Sequence, residues 1–242
     1  MSDWVEFYDS AHSIYVNARH KDVHYRDVAK GIAALAPGPQ ARVLDYGCGE
    51  AVHADFVAAC ARELILSDAA PTVRRAVAAR FAGHGNIRVI STEEVETLPD
   101  KSLDLIVANS LVQYLDGATL DRLLRLWRRL LTPGGALVIA DVIPPHVGTA
   151  SDVLALLRYA ARNGFLGAAL IGLVRTAFSP YRKLRAQLDL ARYTEAEFLA
   201  RLTSAGFKAE RLTHNLEHNP QRMTFMAHPS RTALDNGCAR PA

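Results

Sequence analysis

Asp45 stands two residues before Gly47 and four before Gly49, directly after the apolar pair Val43 and Leu44. Glycines at that spacing let the backbone approach a ligand closely. A helix that starts just beyond them presents its N-terminal dipole to an anion. An acid ahead of the glycines is a poor neighbour for a pyrophosphate and a good one for a cation. Both features in one turn suit the zwitterionic end of an amino acid. A dinucleotide fingerprint would place another glycine at position 52, where this chain has Val52; that speaks against a nicotinamide-dependent oxidoreductase. A second group of candidates handles protons. His20 and His24 are four residues apart, on one face if a helix carries them, and either could deprotonate an acceptor. The competing readings are two packed or solvent-facing histidines and, with less support, a two-histidine metal pair; no metal is expected. Asp141, closing an apolar run, could orient a substrate or cap the next turn, with His146 a weaker candidate. His214 and His218 are expected on the surface.

These residues need a scaffold, and the chain supplies a regular one. Residues 3 to 35 read as a helical segment stopped by Pro37-Gly38-Pro39. Short apolar strands follow at Arg42 to Asp45, Leu64 to Ser67, Ile87 to Ser91, Leu103 to Ala108 and Ala136 to Val142. Helices alternate with them over Val52 to Ala61, Thr72 to Phe81 and Ala118 to Leu131, with Pro71 suited to a first helical position. Thr132-Pro133-Gly134-Gly135 is read as a break before the fifth strand. Strands alternating with helices of this length predict a parallel sheet covered on both faces. Residues 146 to 190 leave the rhythm and read as inserted helices. Thr194 to Glu197 forms a capping box for a further helix, ended by Gly206. Lys208 to Thr213 and Met223 to His228 predict a closing antiparallel pair.

The bulk properties narrow the class. The chain has 242 residues, half of them apolar, and a formal net charge of +3. That is ample for a buried core and too little charge to argue for nucleic acid. Cys48, Cys60 and Cys238 show no metal spacing and cannot all pair, so a reducing compartment fits and a cytoplasmic location is expected. No signal peptide is expected at the N-terminus, and a loose tail is expected over 229–242.

The stretch Val43-Leu44-Asp45-Tyr46-Gly47-Cys48-Gly49 resembles the first motif of the class I S-adenosylmethionine-dependent methyltransferases. Further segments resemble that family's in order and spacing: Asp68 and Ala69 at the end of the second strand, Glu94-Val95, Leu98 to Asp104, Val107-Ala108-Asn109-Ser110-Leu111, Leu130 to Gly135, and Thr194 to Phe207. The resemblance implies an α/β fold with a Rossmann-like seven-stranded, mostly parallel sheet, last strand antiparallel, and helices on both faces. It implies S-adenosylmethionine as cofactor and S-adenosylhomocysteine as product. It places Asp45, Gly47, Cys48 and Gly49 at the methionine end, Asp68 and Ala69 at the ribose, Glu94 and Val95 beside the adenine, and Asn109 and Ser110 near the methionine part. In similar enzymes an N-terminal segment closes over the cofactor, which makes Tyr15 and Arg19 candidates. Ala51 replaces the family's third glycine, and the two-proline motif of base-amine methylation is absent after the fourth strand.

The resulting expectation has a helical cap over 1–36 and a methyltransferase domain over 40–228 carrying a helical insertion at 146–190. Residues 151 to 190 hold six Arg or Lys against two Asp, among many leucines. They suit a lid over a small apolar or anionic acceptor, with a membrane surface as a further partner. The expected activity is methyl transfer to a small molecule, with His20, His24 and Asp141 as catalytic candidates. A non-catalytic cofactor-binding protein is the rival of another class.

Overall fold

The computed structural model describes residues 15–177 and 190–230. The start of the expected cap, the end of the insertion and nearly all of the expected tail lie outside those residues. In chain order the elements are α1 (Ala18–Leu35), β1 (Arg42–Tyr46), α2 (Ala54–Ala58), β2 (Glu63–Ser67), α3 (Pro71–Arg80), β3 (Ile87–Ile90), α4 (Thr92–Glu96), β4 (Leu103–Asn109), a 3-10 turn (Val112–Tyr114), α5 (Gly117–Leu130), β5 (Leu131–Val142), α6 (Thr149–Asn163), α7 (Leu166–Ala177), α8 (Glu195–Ser204), β6 (Phe207–Arg211) and β7 (Met223–Pro229).

The seven strands form one sheet in the order β3-β2-β1-β4-β5-β7-β6. Strands β1 to β5 pair in parallel, whereas β7 runs antiparallel to both β5 and β6. The order reverses between β1 and β4, so the carboxyl ends of these two strands border the crevice where such sheets bind ligands.

Side-chain alternation along the strands builds two cores. Leu44, Ile65, Ile106 and Leu137 face α5 and α8, where Leu120, Leu124, Trp127, Phe198 and Leu202 are buried. Val43, Leu64, Leu105 and Val107 face α1, α2 and α3, packing Ile32, Val57 and Val77. A small third core of Val23, Ala160, Phe165 and Ala169 fastens α6 and α7 to α1. The insertion is therefore joined to the N-terminal helix and set beside the sheet's carboxyl edge.

Several boundaries differ from the sequence reading, each for a local reason. Helix α1 begins at Ala18 because the Asn17 side chain caps it, accepting from the His20 backbone at 2.8 Å. The Pro133-Gly134-Gly135 stretch does not break the chain between helix and strand. It is an irregularity inside β5, whose pairing with β4 jumps from Leu103↔Leu131 to Leu105↔Ala136. Residues 92–96 form the helix α4, which the reading of Glu94-Val95 as a binding motif passed over.

Candidate active site

A cavity of about 770 Å³ opens at the carboxyl edge of the sheet, within the ~300–1,000 Å³ of ordinary small-molecule sites. One wall is the turn after β1. Gly47 and Gly49 have φ of +79° and +56°, a region costly for any residue with a Cβ. A Cβ on Gly49 would lie 2.8 Å from the Tyr25 hydroxyl. That hydroxyl accepts from the Glu50 backbone at 2.9 Å, so α1 lies directly over the glycine turn. Ala51 also has positive φ, +43°: the backbone keeps the shape of a third glycine although the residue has a methyl group.

Two carboxylates flank the turn. Asp68 accepts from the Gly49 and Ala70 backbones at 3.0 and 2.9 Å, and it lines the cavity with Ala69. Asp45 lines a smaller pocket that shares Gly47, Cys48, His24, Tyr25 and Asn109 with the large one. Burial, and then the negative charge of Asp68, push the Asp45 carboxyl up to about 7. Among the described residues no cation is paired with this carboxylate. Burial likewise pushes the neighbouring Cys48 thiol well above its ordinary value.

The opposite wall is a cluster of proton-handling groups. The Glu217 side chain is 6% exposed and lies 3.2 Å from His24 Nδ1. Asn109 Nδ2 donates to the other Glu217 oxygen at 2.8 Å. Burial alone would raise Glu217, but the charge of His24 and hydrogen bonding around the carboxylate hold it well below the usual range. Burial would lower His24, yet the charge and hydrogen bond of Glu217 raise it above the ordinary histidine value. His218 stacks on Tyr159 with ring centroids 5.0 Å apart. His24, Glu217 and His218 bring three possible ligand atoms within 4.8 Å of one another. The short His24–Glu217 contact, with both shifts favouring the charged forms, stabilises an imidazolium beside a carboxylate once His24 has taken up a proton.

The other proton candidates have different surroundings. His20 is buried and stacked on Phe165 at 4.9 Å. Burial, then the nearby His24 and His218, lower it to about 4, so it is neutral at physiological pH and a weak base. Asp141 accepts from Ser110 Oγ at 2.8 Å and from Arg222 at 2.6 Å, and Arg222 also holds Asp152 of α6 through two contacts near 3 Å. With its lone pairs engaged, Asp141 ties β5 to the insertion. Burial pushes its carboxyl up against the pull of Arg222.

Of the residues singled out from sequence, Tyr15, His20, His24, Gly47, Cys48, Gly49, Asp68, Ala69, Asn109, Ser110 and Asp141 all line the large cavity, and Asp45 lines its neighbour. Three stand elsewhere. Arg19 is exposed and bonds to Asp22 and to the Asn163 carbonyl. Glu94 closes the α4 capping box with Ser91, and Val95 is fully buried in the core; Thr92 and Glu93 line the cavity in their place. His218, expected on the surface, is part of the cavity wall, because the segment between β6 and β7 folds back over the strand ends. Exposed His214 matches its surface reading. Glu217, Tyr25 and Arg222 were not picked out from sequence. Glu217 is flanked by His214 and His218, a signal that gains meaning only once β7 places it opposite β4.

Residues 44–139 match the family described as "Methyltransferase domain". A "probable S-adenosylmethionine-dependent methyltransferase" of Mycobacterium tuberculosis is 34% identical over 125 residues, which are 50% of this chain and 40% of that protein. The match thus spans well under half of that relative's length. The YcgJ protein of Bacillus subtilis superposes with a TM-score of 0.58 at 15% identity, over 86% of this chain and 100% of that one. The DhpI–SAH complex does so with a TM-score of 0.57 at 14% identity, over 94% and 96%. The seven-stranded sheet with its covering helices matches Rossmann-like methyltransferase folds. Residues 44–139 are thus similar to a methyltransferase domain, and the relative that matches half of this chain is described as S-adenosylmethionine-dependent. Among the described residues no helix is long and apolar enough to cross a membrane.

Proposed function

We propose that this chain transfers a methyl group from S-adenosylmethionine to a small, largely apolar acceptor, whose proton passes to the His24–Glu217 pair. The observation that carries the cofactor half is Asp45: a half-buried carboxylate with no cation paired to it among the described residues, beside a glycine turn whose tight contacts leave room only for backbone. The α-ammonium of the cofactor is the cation that Asp45 lacks. Asp68, at the next strand end, is placed for the ribose hydroxyls, with Thr92 and Glu93 beyond it on the adenine side. When bound, the cofactor supplies a methyl group already activated by its sulfonium.

The protein's part is then to align an acceptor, exclude water and remove a proton. Tyr15, just before α1, and Tyr25 of α1 close one side of the cavity, and Val153, Leu156 and Leu173 of the insertion give it an apolar wall. Both arginines that line it are committed, Arg122 to Glu96 and Arg222 to Asp141 and Asp152. Arg158, Arg162 and Arg175 of the insertion are exposed. This favours an apolar acceptor over an anionic one. His24 is the base in this reading. In its neutral form it takes the acceptor proton, and Glu217 stabilises the imidazolium that results. Asn109 holds Glu217, and Asp141 with Arg222 fixes the neighbouring wall.

Calorimetry with S-adenosylhomocysteine tests the cofactor half, with Asp45→Ala as the comparison. Absence of binding at millimolar ligand, or a variant indistinguishable from wild type, would sink it. Methyl release from labelled cofactor over a pool of apolar hydroxyl, amine and carbon-acid acceptors tests the other half. Binding without turnover on any of them would instead support a non-catalytic binding protein.

A further inference from the structure

Among the described residues the large exposed hydrophobics are Leu154, Leu166, Leu170, Ile171 and Val174, and all five lie on α6 and α7. Their exposure runs from 40% to 60%. On α7 they fall at 166, 170 and 174, with 171 alongside, which is one stripe of a helix. Isolated apolar side chains on a surface are ordinary; a contiguous stripe confined to one helical hairpin marks an interaction face. The same hairpin carries Arg158, Arg162 and Arg175, all exposed. From Val153 to Ala177 the chain has no acidic residue. Leu154, Arg158 and Arg162 follow one another at intervals of four on α6, so charge and apolar surface share a face.

We propose that this face of α6 and α7 docks on an anionic lipid bilayer, lying in its interface without crossing it. Lying in the interface needs an amphipathic helix with basic residues at the edge of its apolar stripe, and α7 is too short to span. Charge favours a bilayer over a second copy of the chain and over the segment 178–189. A second copy docked about a two-fold axis would bring the same arginines towards one another. The segment 178–189 carries Arg182, Lys183 and Arg185 against Asp189, so it offers these arginines no complementary charge either. An anionic surface complements all of them. Leu156 and Leu173 of the same hairpin line the cavity; on the methyl-transfer reading, on which this corollary rests, the acceptor is an amphiphile drawn from the bilayer.

Co-sedimentation of the full chain with phosphatidylcholine vesicles, and with vesicles containing phosphatidylglycerol, tests the surface in the absence of cofactor and acceptor. Its result is therefore independent of methyl transfer. The expected result is partition to the anionic vesicles, weakened by raising the salt from about 0.1 to about 0.5 M. Arg158→Gln/Arg162→Gln/Arg175→Gln should lower the partition coefficient on the order of a hundredfold. Leu170→Gln/Ile171→Gln/Val174→Gln should lower it by roughly tenfold or more. Thermal melts of both triple variants check folding. Equal partition of wild type and either variant, indifference to lipid charge, or a vesicle-free dimer that the apolar variant dissolves would overturn the proposal.

Discussion

Asp45 offers the sharpest test, because one group sets both a stability and an affinity. Its carboxyl titrates near 7 in the free protein, against an ordinary value of 3.8. The folded state then holds a proton that the unfolded chain releases between those values, so this group makes stability fall as pH rises from about 4 to about 7. A shift of that size corresponds to about 4 kcal/mol at most. A cation placed beside Asp45 reverses the penalty, so cofactor binding selects the ionised form. At pH 6 about one tenth of the sites are ionised, and at pH 8 about nine tenths. Affinity for S-adenosylhomocysteine should therefore be about tenfold weaker at pH 6 than at pH 8, with close to one proton released per ligand bound at pH 6 and almost none at pH 8. Calorimetry in two buffers of different ionisation enthalpy measures that count. Asp45→Asn should flatten the profile and cost roughly 10- to 100-fold at its plateau, the loss of a charge-assisted hydrogen bond. The same variant should melt higher than wild type at pH 8 and equally at pH 4. A flat wild-type profile with no proton release would refute the reasoning.

The opposite wall and the glycine turn offer further tests. Glu217→Gln should lower kcat about a hundredfold, and it should move the acidic limb of the rate–pH profile to lower pH, since Glu217 is what raises His24; an unmoved limb would remove His24 from the reaction. By the same shift, the stability contributed by the His24–Glu217 pair is present below about pH 6.5 and lost as pH rises through the higher folded value, a trend that melts of Glu217→Gln should lack. Arg222→Leu should destabilise by about 3–5 kcal/mol in a denaturant titration, because it leaves Asp141 and Asp152 as uncompensated partly buried charges; Arg222→Leu with Asp141→Asn should recover part of that. Ala51→Gly should change stability by under about 1 kcal/mol in the same titration, the relief of a left-handed alanine being offset by the added freedom of the unfolded chain.

How much of this could be read from the sequence depends on the range of the forces involved. The first five strands and their order in the chain were legible because short apolar runs punctuated by Gly and Pro are local signals. Asp45, Gly47, Gly49 and Asp68 were legible for a related reason: each sits at a strand end, and strand ends converge in any sheet of this order. Glu94 and Val95 do not line the cavity because Ser91 and Glu94 also satisfy a capping box, and the local hydrogen bonds of a helix start claim Glu94 for α4. The proton-handling wall was not legible as a unit. His24 comes from α1, Asn109 from β4, Asp141 from β5, Asp152 from α6 and Glu217 from the segment before β7, and no spacing rule links positions up to 193 residues apart. What joins them is the antiparallel insertion of β7 between β5 and β6, which turns the segment before it back across the ends of β4 and β5. The reversed strand that looks peripheral in the topology is thus the element that carries Glu217 to His24, and the site's chemistry depends on it as much as on the glycine turn.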